Sequence, residues 1–122
     1  MPKNDFDHCP HPFIDQGLVA RSKELLLDDF VSLKISNFFK VLADPTRIKI
    51  IHLLYDQELC VCHLAELLNM NQPAVSQQLK TLKQANIVKF RREGHNLYYT
   101  LSDDCVKQMI TEVKIHVIEH KK

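Results

Sequence analysis

A chain of 122 residues with 45% apolar side chains can bury one hydrophobic core, and it has no run of about 18 apolar residues that would span a membrane. The acidic start Met1-Pro2-Lys3-Asn4-Asp5-Phe6-Asp7 lacks the apolar stretch of a signal peptide, so the expected location is cytoplasmic. The net charge of +1 conceals an asymmetry: residues 1–31 carry three Lys/Arg against six acids, whereas residues 72–100 carry five against one.

Residues 1–16 read as an irregular arm, because Pro2, Pro10 and Pro12 discourage helix around His8-Cys9-Pro10-His11. Residues 17–122 read as one folded domain. Helices are predicted from about Gly17 to Asp28 and from about Phe30 to Leu42. Asp44-Pro45 marks the next helix start, with a carboxylate to cap free N–H groups and a proline suited to the first turn. Ile48, Ile51, Leu54 and Tyr55 then form a core-facing stripe. Two short helices follow, joined by Asn69-Met70-Asn71, a connection of helix-turn-helix length. Ile87–Arg92 alternates, Gly94 punctuates, and Leu97–Leu101 is aromatic and β-branched, which predicts a β-hairpin. Ser102-Asp103-Asp104 caps a last helix reaching about His120, with Val106, Met109, Ile110, Val113 and Val117 as its apolar stripe. Helix, helix-turn-helix, hairpin and helix in that order predict a mainly α winged helix-turn-helix fold.

In such a motif the second helix enters the major groove of DNA with its N-terminal residues toward base edges. Those are Gln72, Pro73, Ala74, Ser76 and Gln77, with Val75, Leu79 and Leu82 turned to the core. At most one of the adjacent Gln77 and Gln78 can face a base squarely. Lys80 and Lys83 point toward phosphates, and Lys89, Arg91 and Arg92 in the hairpin are candidates for backbone or minor-groove contact.

Four cysteines in a cytosolic chain suggest metal or redox chemistry rather than a disulfide framework. Cys60 and Cys62 stand at the lip of the helix-turn-helix. On a regular helix they would diverge by about 200°. At an extended helix entrance, residues i and i+2 share a side and can grip one soft ion. Two thiolates rarely complete a shell, and Cys9, with His8 or His11, is the nearest supply. The bland alternative is a pair of small buried hydrophobes. A second candidate set is Asp103, Cys105, His116 and Glu119. Asp103 and Glu119 are sixteen residues apart, about 24 Å along a helix, so they share an ion only if two copies run antiparallel about a two-fold axis. Spacing alone favours a capping Asp103, a packed Cys105 and solvated His116 and Glu119. No phosphate-binding glycine loop, nucleophile elbow or paired catalytic carboxylates mark an enzyme.

The segments Leu42-Ala43-Asp44-Pro45-Thr46-Arg47, Glu58-Leu59-Cys60-Val61-Cys62, Val75-Ser76-Gln77-Gln78-Leu79-Lys80 and Gly94-His95-Asn96-Leu97-Tyr98-Tyr99 resemble the ArsR/SmtB family of metal-sensing repressors. The resemblance covers about residues 35–120. It implies a homodimer joined through its terminal helices that binds double-stranded operator DNA and releases it on binding Zn(II), Cd(II) or Pb(II), derepressing metal efflux or sequestration genes. It also implies that Cys60 and Cys62 belong to a metal site completed by the arm, where this chain offers one cysteine, Cys9, with His8 and His11 as stand-ins. Asp103, Cys105, His116 and Glu119 fall on the last-helix site of zinc-sensing relatives, with Cys105 where a histidine is usual, and the resemblance turns the balance toward a real second site. The alternatives on the same scaffold are a thiol redox sensor pairing Cys60 or Cys62 with Cys9, and an As(III) sensor. For the latter, no third cysteine follows Cys62 within its helix. His63 replaces an acidic residue common beside the pair, free either to ligate or to face solvent.

Overall fold

The structure is a computed structural model that describes residues 13–120. His8, Cys9 and His11, the arm ligands expected from the sequence, lie outside the described residues. The chain forms two compact units, divided between Ile35 and Ser36.

In the first unit, α1 (Gln16–Ser22) begins where the Asp15 carboxylate accepts the Leu18 N–H at 3.1 Å. The helix predicted to reach Asp28 stops at Ser22 and gives way to a 3-10 turn over Lys23–Leu25. Leu26 is extended, and Asp28 accepts the Phe30 N–H at 2.7 Å to open α2 (Asp29–Leu42). An aspartate that caps the next helix needs a non-helical approach, and this ends the first helix early.

In the second unit, the remainder of α2 is followed by α3 (Pro45–Leu53), β1 (Leu59–Cys60), α4 (Val61–Leu68), α5 (Gln72–Gln84), β2 (Val88–Glu93), β3 (Asn96–Leu101) and α6 (Asp104–Glu119). Asp44 caps α3 by accepting the Arg47 N–H at 3.0 Å, with Pro45 in the first turn. Ile50 and Ile51 are both fully buried although about 100° apart around the helix, so α3 buries a face wider than one stripe. Leu54, Leu64, Val75, Leu79, Leu82 and Ile87 complete the densest part of the core, joining α3, α4 and α5 to the root of the hairpin.

α4 and α5 make the helix-turn-helix. Asn69 ends α4 in the left-handed region at φ 55°, a conformation asparagine tolerates better than most residues. Two residues later the Asn71 side chain accepts the Ala74 N–H at 2.8 Å and starts α5, with Pro73 in its first turn. β2 and β3 form the predicted hairpin around Gly94-His95, with Gly94 at φ 63°. The sheet has three strands rather than two. β1 adds to the other edge of β3 in the order β1-β3-β2, pairing Leu59 with Tyr99 and Cys60 with Tyr98. The architecture is a winged helix-turn-helix.

Asp103 caps α6 by accepting the Val106 N–H at 3.2 Å. Val106 and Ile110 enter the core and Met109 packs at its edge. Val113 and Val117, expected in the same stripe, are 48% and 59% exposed, because the second half of α6 runs beyond the core. Among the described residues no helix is long and apolar enough to cross a membrane.

Replacing Asn71 by Ala removes the cap of α5 and is expected to cost about 1 kcal/mol. Leu79→Ala opens a cavity at a fully buried position and is expected to cost about 2–5 kcal/mol. Denaturant unfolding of each variant measures both losses.

Candidate metal centre and nucleic-acid interface

Cys60 is at once the last residue of β1 and the residue that starts α4, with extended φ and ψ of −88° and 170°. Cys62 is the second helical residue. The backbone therefore changes from extended to helical between the two thiols, and this brings them to one side. Their Sγ atoms are 2.6 Å apart, longer than an S–S bond of about 2.05 Å and nearer than the about 3.8 Å that tetrahedral geometry sets for two sulfurs on one zinc at Zn–S about 2.3 Å. His63 joins them, its Nδ1 3.2 Å from Cys60 Sγ. The three donor atoms all lie within 4.8 Å of one another, the only such group of metal-ligating side chains among the described residues. Cys60 is buried, whereas Cys62 and His63 are exposed, so the cluster opens to solvent on one side. Two sulfurs and an imidazole converging on one point fit a soft or borderline divalent ion.

The two thiols are not equivalent. Burial pushes the Cys60 thiol up, but the hydrogen bond from Cys62 and the N–H groups of His63 and Cys62 at the helix start outweigh it, and Cys60 ionises below the ordinary thiol range. Cys62, the other partner in that bond, is held above the ordinary range, first by the bond itself, then by desolvation and by the charge of Cys60. The pair thus loses its first proton early and its second late.

The second candidate set is not gathered within the chain. Asp103 is committed to its capping bond and Cys105 is exposed beside it at the start of α6. His116 and Glu119 stand exposed at the far end, where the His116 ring lies 4.5 Å from that of His120.

The residues expected at DNA are all exposed: Gln72, Ser76, Gln77, Lys80 and Lys83 on α5, and Lys89, Arg91 and Arg92 on β2. Gln72, Ser76, Lys80 and Lys83 share one face of α5 by their spacing. The structure separates the adjacent glutamines. Gln77 is exposed, while Gln78 turns inward and accepts the Arg47 Nη1–H at 2.9 Å. Arg47 also donates from Nε to the Val41 carbonyl at 2.6 Å, so one guanidinium ties the end of α2 to the middle of α5.

Arg91 is already engaged. Its Nε and Nη2 donate to the two carboxylate oxygens of Glu58 at 2.7 and 2.8 Å, its guanidinium lies 4.8 Å from the Tyr98 ring, and Glu93 is 3.6 Å away. The hydrogen bond and charge of Glu58 hold Arg91 protonated well above its usual range, and Arg91 in turn holds the Glu58 carboxyl below its own. Lys83 sits over the Phe90 ring at 5.2 Å, bracing α5 against the wing. Cys60, Tyr98 and Arg91 face one another across the three strands, in register. Sequence reasoning missed this row because it missed β1. The fork between Glu58 and Arg91 spans 33 residues and left no local signal.

Residues 44–89 match the family model described as bacterial regulatory protein, arsR family. Over 111 residues the chain is 36% identical to a transcriptional repressor SmtB homolog of Synechocystis sp., covering 91% of this chain and 84% of that one. It is 35% identical over 111 residues to a cadmium resistance transcriptional regulatory protein CadC homolog of Staphylococcus aureus, covering 90% and 91%. Among solved structures, the homodimeric winged helix-turn-helix DNA-binding domain of a possible ArsR-family transcriptional regulator from Mycobacterium bovis superposes with a TM-score of 0.71 at 29% identity, covering 80% of this chain and 92% of that one.

Replacing Cys62 by Ala deletes the hydrogen-bond partner of the Cys60 thiol but leaves the burial that opposes ionisation. The Cys60 thiol of that variant is expected to ionise at higher pH than in the parent. A pH titration of thiolate ultraviolet absorbance in metal-free protein reads the shift, which must be upward.

Proposed function

Because the chain belongs to the arsR family of bacterial regulatory proteins, we propose that it is a metal-responsive transcriptional repressor that binds operator DNA as a homodimer and leaves it when Zn(II), Cd(II) or Pb(II) binds, derepressing genes for metal efflux or sequestration. One observation carries this reading: two sulfurs and an imidazole converge at the residue that starts the helix-turn-helix. Displacement of a donor there acts on α4 without an intermediary. It also acts on β1, and through the Tyr98 row on the wing residue Arg91.

Cys60 and Cys62 hold the ion as thiolates, and the depressed ionisation of Cys60 prepares the first of them. Cys9, with His8 or His11, closes the remaining position from the arm. On the DNA side, Gln72, Ser76 and Gln77 read bases, while Lys80, Lys83, Lys89 and Arg92 meet phosphates. Arg91 can join them only by giving up Glu58. The dimer is supported by the apolar surface left on α6, where Val113, Ile115, Val117 and Ile118 are all exposed, and by the homodimeric neighbour from Mycobacterium bovis. A second site follows if the dimer sets α6 antiparallel to its copy, with Asp103 and Cys105 of one protomer opposite the other's His116 and Glu119.

The test is operator binding with and without each ion. Metal is expected to weaken binding about 5–150-fold, a coupling of about 1–3 kcal/mol. Unchanged affinity in all three metals would sink the reading. With both Cys60→Ser and Cys62→Ser in one chain, metal-free DNA binding is expected to persist while the Cd(II) response disappears; a retained response would assign sensing to the α6 residues. Lys89→Ala is expected to reduce the salt dependence of operator binding by about one unit of log–log slope, measured by anisotropy across a salt series.

A further inference from the structure

We propose that Glu58 is a stand-in for a DNA phosphate, holding the Arg91 guanidinium in the free protein and yielding it to a backbone phosphate in the complex, so that this one carboxylate limits how tightly the chain holds duplex DNA; this rests on the DNA-binding reading above. Five basic residues on α5 and β2 are assigned to DNA: Lys80, Lys83, Lys89, Arg91 and Arg92. Among the described residues, Arg91 alone of these five is in an ion pair. Its partner Glu58 is not a wing residue. It directly precedes β1, at the other edge of the sheet.

The geometry is that of an anion site already filled. Nε and Nη2 of Arg91 each meet one carboxylate oxygen of Glu58, at 2.7 and 2.8 Å. A phosphate offers two oxygens to a guanidinium in the same planar, two-point way. The Tyr98 ring lies 4.8 Å from the guanidinium, on the central strand, and supports the fork whichever anion fills it. Glu93 meets Arg91 through Nη1 alone, at 3.6 Å, and leaves the two fork donors to Glu58. The Arg91 and Glu58 side chains are 50% and 39% exposed. A phosphate therefore reaches the fork without opening the core, and an ion pair so exposed is weak enough to exchange. The competing role for the pair is a clamp that braces the wing and persists on DNA. The two roles predict opposite signs when the charge of Glu58 is removed.

Anisotropy titrations of a fluorescent random-sequence duplex with full-length, metal-free protein distinguish them, because phosphate contact needs no operator. Glu58→Gln, which keeps the size of the side chain and removes its charge, is expected to bind about two- to fivefold more tightly than the parent. In an Arg91→Ala background the same change is expected to give a smaller gain, since only the general loss of one negative charge remains. Arg91→Ala alone is expected to lower the salt dependence by about one unit of log–log slope. Glu58→Gln that melts with the parent yet binds no more tightly overturns the proposal, as do equal gains in the two backgrounds. If Glu58→Gln melts early, the Arg91→Ala slope decides: a reduced slope supports the exchange, and an unchanged one means that Arg91 meets no phosphate and overturns it. Each of these results leaves the DNA-binding reading standing, because that reading fails separately, when the parent itself binds no duplex and takes the proposal with it.

Discussion

One change of backbone direction governs the site. At Cys60 the chain is extended and paired with β3; one residue later it is helical. Without that break Cys60 and Cys62 would diverge around a helix, and no ion could meet both. The break is held from both sides. β1 is kept extended by its pairing with Leu59 opposite Tyr99, and α4 is anchored by the fully buried Leu64. The thiol pair therefore depends on tertiary structure, although its two members are near neighbours in the chain.

The same junction explains the unequal thiols. A helix start presents N–H groups and the positive end of the helix dipole, which favour an anion. Cys60 stands there, buried, whereas Cys62 is exposed.

Much of the fold was legible because its signals are local. Asp44-Pro45 and Asn71 with Pro73 name helix starts, Gly94 names the hairpin turn, and Val75, Leu79 and Leu82 name the buried face of α5. Three features were not legible, each for a physical reason. β1 is two residues long, and its identity comes from a partner forty residues away rather than from its own composition. The stripe on α6 has the right period, yet the core covers only its first half. Counting basic residues in the wing gave charge but not availability, since Arg91 is already paired with Glu58. In the candidate site, Cys60 and Cys62 were legible from their spacing at the helix entrance. The place of His63 among them required knowing which way the first turn of α4 faces.

The cross-strand alignment of Cys60, Tyr98 and Arg91 has a mechanical corollary. Tyr98 is the shared partner, paired with Cys60 on one side and with Arg91 on the other. The basic strand β2 and the sulfur cluster thus belong to one three-stranded sheet. Protection of the amide protons on β2 should rise and fall together with protection on β1, the two edges being paired to the same central strand.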